Sequence, residues 1–594
     1  MIDLLAAEVL CHRTPGGLVL ESPTAPGEPV RCVGDWLVRW ARDRPDATFL
    51  AERDASGEWT RLAYRDALAA VEGVASSLLD RGGAADRPVM ILSDNSIAAA
   101  LIALGAMHAG IPAAPVSSAY SLQSTSFQRL RAVAEQLRPG FVFACDPIAG
   151  PARFAPAIAA LTEAGVIGPD AAEPLPAAPV LARTPRSPAL DRAFAQIGPD
   201  AIAKVLFTSG STGAPRGVVN THRMLTSNQE SAAACWPFLA GPQAPVIVDW
   251  LPWSHTFGGN HNFHLVLRNG GALYIDAGRP VPGLIETTIA NLADVSPTMW
   301  FNVPRGFDHA AQLLEADERA AAGVFARLDL VFYAAAALGP ATRARLERIA
   351  ERAGRPEVFF TSAWGSTETA PLATSAHFAT PTTGNLGLPV PGVQLKLAVV
   401  QDQDRLELRV RGPNITPGYW QPGGGIAPIE LDGDGFLSTG DAGQLVDDSR
   451  PASGIVFGGR LGENFKLSSG TWVSVAAVRL AVIEACAPLV QDAVIAGHDR
   501  EQLGALLFLA PAARELPAAA VADRLHAALA GHNAAHPRTS ERLARAIVVA
   551  EPLSLDDGET TDKGYTNQRR VIERRSAAVA QLFGEPPGPG VVVV

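Results

Sequence analysis

The stretch Val205–Val219, VLFTSGSTGAPRGVV, decides the fold. Val205, Leu206 and Phe207 read as the end of a buried strand. Hydroxyl and glycine residues then run from Thr208 to Gly213, followed by Pro215, Arg216 and Gly217, and Val218-Val219 resume an apolar pattern. Glycines let backbone N–H groups turn toward an anion, and hydroxyls add side-chain donors, so such a loop can wrap phosphate oxygens. Arg216 adds a permanent charge on a planar fork of donors. No Gly-Lys-Ser/Thr closes the loop, so it is not a Walker A motif. A flexible Ser/Gly linker is the competing reading, and the strand-like runs on both sides argue against it.

Strand–helix–strand alternation surrounds this loop. Trp36–Trp40 opens an apolar-periodic helix, and Thr60–Asp80 reads as a second, stopped by Arg81-Gly82-Gly83. Pro88–Leu92 and Gly110–Val116 read as strands on either side of a helix at Ser96–Ala109. Downstream, the strands Val246–Leu251, Leu328–Tyr333 and Val358–Phe360 each run into a polar or small-residue loop. Loops at the carboxyl ends of parallel strands are where α/β folds build ligand sites. From about Pro381 to Gly458 the texture changes to short alternating strands with Gly/Pro turns, the pattern of a β-rich subdomain. The residues before Gly34 and the low-complexity tail Gly584–Val594 read as loosely structured, and Leu175–Pro188 as a surface connection.

At 594 residues the chain is too long for one core and should divide into two or three domains. A net charge of −11 argues against a nucleic-acid-binding surface. Five scattered cysteines without CxxC spacing fit reduced thiols, with neither a disulfide framework nor a zinc site. Met1–Leu10 has no basic signal-peptide start, and no apolar run reaches about 18 residues, so a cytoplasmic protein without membrane partners is expected.

Four segments together resemble the adenylate-forming superfamily of acyl- and aryl-CoA synthetases, adenylation domains and luciferases. They are the phosphate loop, WGSTE at Trp364–Glu368, STGD at Ser438–Asp441, and GGRLGENFKLSSG at Gly458–Gly470, in that order. Within it the chain resembles bacterial feruloyl-CoA synthetases, through Val248–Phe263, Arg411–Trp420, Phe465–Val475 and DGETTDKGYTNQR at Asp557–Arg569. The resemblance implies an α/β fold: a large N-terminal domain of layered α/β subdomains plus a β-rich subdomain (1–460), and a small mobile α+β C-terminal domain (461–594). It implies ATP, Mg²⁺ and coenzyme A as cofactors, a small carboxylic acid (ferulate or another hydroxycinnamate) as substrate, and a monomer or homodimer. With no Gly-Gly-x-Ser attachment motif present, free CoA rather than a carrier protein is the expected acceptor. A ligase for another aromatic or medium-chain acid, and an inactive nucleotide-binding homologue, are the alternatives.

The resemblance also implies roles. Thr208, Ser209, Gly210, Ser211, Thr212, Gly213 and Arg216 hold the β- and γ-phosphates, Arg216 standing where the family usually has Lys. Glu368 holds Mg²⁺, whose hard charge suits oxygen ligands, and Thr367 contacts the α-phosphate beside Gly365 and Ser366. Lys563 is the catalytic lysine, bridging the substrate carboxylate and the α-phosphate. Asp441 and Arg460 bind the ribose, and the adenine lies against Tyr333, Ala334, Ala335, Ala336 and Trp364. His255 gates the acyl pocket, which Asn260, His261, Phe301, Asn302 and Val303 line. Glu463 marks the hinge, with Gly462 in place of the family's lysine, and Lys466, Gly470 and Trp472 face CoA.

Overall fold

The computed structural model describes residues 2–594 apart from 146–149, 210–214, 335, 381–383, 401–405 and 562–565. The strand holding Val205–Phe207 is Ile202–Ser209, and it pairs antiparallel with Pro215–Thr221, Arg216 opposite Thr208. The two apolar runs that bracket the glycine- and hydroxyl-rich segment are therefore paired strands of one hairpin. That hairpin sits inside a sheet of eight described strands, ordered Gly425–Pro428, Gly418–Gln421, Pro215–Thr221, Ile202–Ser209, Ala113–Val116, Val89–Ser93, Phe141–Cys145 and Glu173–Pro174. The middle strands Val89–Ser93, Ala113–Val116 and Phe141–Cys145 run parallel. Their near-continuous apolar sequence suits burial on both faces.

Met299–Asn302, Leu330–Tyr333 and Phe359–Gly365 are parallel neighbours in a five-stranded sheet, with Asn302 opposite Tyr333 and Tyr333 opposite Ser362. Their carboxyl ends thus share one edge. A four-stranded sheet joins Val246–Asp249 and Ala272–Ile275 to Thr48–Arg53 and Trp59–Ala63. The helix expected from Thr60 starts at Tyr64, because Trp59–Ala63 is spent as an edge strand against Thr48–Arg53.

The β-rich expectation holds in a six-stranded sheet of Leu10–Thr14, Gly17–Glu21, Gln394–Val399, Leu406–Arg411, Leu437–Leu445 and Ile455–Arg460. Its first two strands correct the reading of the N-terminus as loose: Gly17–Glu21 pairs antiparallel with Gln394–Val399, and Leu20 is buried in the main core. Gly17, at φ +142°, closes the hairpin's Pro-Gly-Gly turn, and a Cβ there would lie 2.0 Å from Leu397 O.

Residues 465–594 carry hydrophobic clusters of their own, one around Val473, Val482, Leu507 and Leu525, another around Leu506, Val571 and Leu582. The supposedly low-complexity tail contributes a strand, Val591–Val593, paired with Leu543–Val548. Among the described residues no helix is long and apolar enough to cross a membrane.

Candidate active site

Three elements converge beside the hairpin tip. The strand Gly418–Gln421 pairs with Pro215–Thr221 at Val218 and Tyr419. Thr416, just before it, donates its hydroxyl to Val219 O (2.6 Å) and its N–H to Glu368 O (2.9 Å). These bonds seat the turn Thr367–Thr369 against the hairpin. Tyr419 stands between the charged groups: the Arg216 guanidinium is 5.6 Å from its ring, and its hydroxyl lies 3.5 Å from Glu368 Oε1. Burial raises the Tyr419 pKa, so the phenol stays neutral. Gly365 allows the close approach that shapes this turn, since a Cβ would sit 1.6 Å from Pro371 O.

A second group forms where the strand Phe359–Gly365 meets the six-stranded sheet. Asp441 and Arg460 are directly opposed, with Arg460 Nε 3.5 Å from Asp441 Oδ1. Trp364 Nε1 donates to Asp441 Oδ2 at 2.9 Å. Oδ1 is buried without a hydrogen-bond partner among the described residues. Burial raises the Asp441 pKa, and Arg460 and Trp364 pull it back. A buried carboxylate oxygen with an open lone pair is an acceptor awaiting a hydroxyl.

Tyr333 is nearly all buried in the cluster of Trp300 and Phe307. Ala334 and Ala336 beyond it are more exposed. Gly210, Ser211, Thr212, Gly213, Ala335 and Lys563 lie outside the described residues.

The expected acyl-pocket residues cluster around a buried π-helical turn, Thr256–Asn262. Such turns often mark functional sites. His261 stacks on Phe332 (5.1 Å between ring centroids) and meets Trp236, Phe301 and Phe257 at 5.7–6.0 Å. The Asn260 amide donates to Asn220 Oδ1 (2.9 Å) and Thr256 Oγ1 (3.1 Å), which braces the turn. Asn302 Oδ1 accepts from Trp250 Nε1 and from the Val303 N–H, leaving its Nδ2 without a partner. His255 Nδ1 accepts from the Phe257 N–H at 3.3 Å, and its Nε2 is buried without a partner.

Sequence reasoning missed the support behind His261. Asp249 Oδ2 accepts from Asn262 Nδ2 (2.8 Å), which turns Asn262 Oδ1 toward His261 Nδ1 (2.9 Å). Burial lowers the His261 pKa to about 4, so the ring is neutral with Nδ1 protonated and Nε2 a bare acceptor. Burial pushes Asp249 up to about 7. His261 Nε2, Gln229 Oε1 and Trp236 Nε1 are all buried and have no hydrogen-bond partner among the described residues. The strand VIVDWL held the signal, since one carboxylate inside an apolar strand needs a partner.

In the C-terminal part, Lys466 lies 4.9 Å from the Trp472 ring, opposite it in a two-stranded ribbon, and Gly470 turns the ribbon at φ +81°. Burial raises the pKa of Glu463, whose backbone follows Arg460 by a hydrogen bond (3.2 Å). Asp556 reaches the N-terminal part: it accepts from the Ser124 hydroxyl (2.6 Å) and the N–H groups of Thr125 (3.2 Å) and Ser126 (3.4 Å).

Residues 37–420 match the AMP-binding enzyme family, and residues 466–585 match the AMP-binding enzyme C-terminal domain. A long-chain-fatty-acid–CoA ligase of Salmonella typhimurium is 31% identical over 265 residues, 42% of this chain and 44% of that protein. The chain thus spans under half the length of the first curated relatives it matches. One from Mycobacterium bovis, also a long-chain-fatty-acid–CoA ligase, is 25% identical over 80% of this chain and 81% of its own. In fold, the chain is similar to the adenylation domain of a carboxylate reductase from Mycobacterium chelonae (TM-score 0.71, 20% identity, 94% and 92% of the two chains). It is similar too to the O-succinylbenzoate CoA synthetase of Bacillus subtilis bound to AMP (0.66, 17%, 91% and 98%).

Proposed function

This chain belongs to the AMP-binding enzyme family, and from that premise we propose that it is an AMP-forming acid–CoA ligase acting on a hydroxycinnamate such as ferulate. The observation that carries the reaction class is the approach of Arg216, Tyr419 and Glu368 to one another, with Trp364, on the strand that leads to Glu368, bonded to Asp441. In the first step the substrate carboxylate bonds to the α-phosphorus of ATP and pyrophosphate leaves. In the second, the CoA thiolate bonds to the acyl carbon and AMP leaves. Bringing a carboxylate to a polyanion makes charge neutralisation the central difficulty.

The residues divide that work. Arg216 and the loop to its N-terminal side neutralise the outer phosphates. Glu368 would hold Mg²⁺, whose hard charge suits a carboxylate oxygen, and an ion held there would screen phosphate charge; no group of three metal-ligating side chains occurs among the described residues. Asp441 Oδ1 accepts from a ribose hydroxyl, Arg460 donates, and Trp364 keeps the carboxylate oriented. Lys563 neutralises the attacking carboxylate and the α-phosphate. The C-terminal residues from 461 form a domain that rotates about Glu463 to exchange Lys563 for the Lys466–Trp472 face.

The bare acceptors His261 Nε2 and Gln229 Oε1 support the hydroxycinnamate. A phenolic hydroxyl can donate to either, while an alkyl chain leaves both unpaired at a cost of about 1–3 kcal/mol each. Long-chain fatty acids, the substrates that the relatives' names give, are the second reading, favoured by those relatives alone.

The test is thioester formation with ATP, Mg²⁺ and CoA, offering ferulate, p-coumarate, cinnamate, benzoate, octanoate and palmitate in parallel. Preference for the phenolic acids over cinnamate, narrowed in His261→Phe, is the expected result. Turnover of palmitate alone overturns the substrate and keeps the ligase. No thioester with any acid overturns the ligase.

A further inference from the structure

The strand that leads into the phosphate loop carries a residue the proposed reaction does not use. Lys204 sits in the apolar run IAKVLF and is only 4% exposed. Its amine donates to Gly259 O at 2.7 Å and lies 3.5 Å from Asn260 Oδ1. No carboxylate among the described residues forms an ion pair with it, and the nearby titratable groups, His222 and His264, are themselves basic and held neutral by burial. Burial lowers the Lys204 pKa to about 7. A buried amine is costly unless a counter-charge reaches it.

Lys204 lines a small cavity, about 40 Å³ in its enclosed part, that widens to open solvent at its mouth. One wall is the small-residue face of the helix Ile97–His108, with Ala99, Ala100, Ala103 and Met107; Trp253 and Phe263 form another. The mouth is polar. There Asp94 accepts from Arg279 (3.0 Å), Arg153 (3.1 Å) and the Ser118 hydroxyl (2.6 Å), which leaves Arg279 as the cation lining the mouth among the described residues. Gly259 and Phe263 face this cavity, while Phe257 and His261 of the same segment pack on Phe332. The cavity is therefore separate from the acyl pocket proposed above.

We propose that this cavity is a second ligand site, which takes a compact apolar carboxylic acid whose acid group meets the Lys204 amine. The apolar walls supply burial, Arg279 at the mouth draws anions in, and the acid provides the counter-charge that the protein omits. An uncharged analogue of the same shape fills the cavity but leaves the amine uncompensated. The inference does not depend on the ligase reading.

The chain has four lysines, Lys204, Lys396, Lys466 and Lys563, so protein labelled with ¹³C at lysine Cε gives four side-chain signals by NMR. Lys204 is identified by its depressed titration and by loss of its signal in Lys204→Met. The probe is trans-cinnamate without ATP, with cinnamyl alcohol as control. The expected result is a saturable shift of the Lys204 signal and a rise in its apparent pKa, with the alcohol roughly tenfold weaker. A shift confined to Lys563, equal effects of acid and alcohol, or an unmoved Lys204 signal would each overturn the proposal. Thioester formation, measured separately, reports on the ligase reading alone.

Discussion

At the residue scale, the open oxygen of Asp441 makes the sharpest prediction. Asp441→Asn keeps an acceptor for Trp364 but removes the charge offered to the ribose. The KM for ATP is expected to rise by roughly 10- to 100-fold, the worth of a hydrogen bond to a charged group, with the KM for the acid little changed; equal changes in both would contradict the role. Buried histidines set a second expectation. His222 is held near 3, and His108, His261 and His377 near 4, each chiefly by burial, whereas an unfolded imidazole titrates near 6.5. Between these values the unfolded chain binds more protons than the folded one, so the stability present above pH 6.5 is lost as pH falls toward 4. Asp249, raised to about 7, acts in the opposite sense between 3.8 and 7 and offsets about one of the four histidines. The melting temperature should fall steadily from pH 6.5 to 5. The fall should be shallower in His222→Gln, whose amide oxygen can still accept from the Val33 N–H. An unaltered slope would exclude His222 as a contributor.

Elements show what local pattern can and cannot reveal. Ala272–Ile275, Leu406–Arg411 and Leu503–Leu509 are readable to the residue because apolar runs bounded by turn residues specify strands locally. The motif loops were legible for the same reason, their glycines and hydroxyls standing out between such runs. The N-terminal hairpin was not, since LCHRTPGGLVLE becomes ordered only by pairing with residues more than 370 positions away. Val591–Val593 is likewise defined by its partner Leu543–Val548. Among site residues, Lys204, Asp249 and Gln229 were missed because their meaning lies in what surrounds them, not in their neighbours in sequence. The hairpin carries a prediction. Deleting residues 1–22 leaves Gln394–Val399 as an unprotected edge and removes Leu20 from the core. The melting temperature should drop by more than about 5 °C, with concentration-dependent aggregation. A truncated protein as stable as the full chain would mean the hairpin is decorative.

For the whole molecule, the decisive contact is the one that brings the C-terminal part to the N-terminal part. Asp556, seven positions before Lys563, is bonded to Ser124 and to the backbone N–H groups of Thr125 and Ser126. Its carboxyl is held below the usual range by these donors, despite the opposing effect of burial. The turn that presents it is independently fixed: Glu559, fully buried, accepts from Arg575 at 2.7 and 2.9 Å and from the Ser554 N–H at 3.0 Å. On the cycle proposed above, a turn clasped to the N-terminal part would favour the pose for adenylation, and a rotation that presents the Lys466–Trp472 face would have to release the clasp. Asp556→Ala therefore weakens one pose and not the other. ATP–pyrophosphate exchange with the acid should fall by about tenfold or more, the loss of at least one net hydrogen bond to a charged group. Thioester formation from supplied acyl-adenylate should be unchanged or faster. Lys563→Ala should abolish exchange far more deeply while also sparing the second step, because it removes the charge itself and not its positioning. A loss of both half-reactions in Asp556→Ala, with unaltered melting temperature, would show that the clasp persists throughout the cycle and that the two poses do not alternate about Glu463.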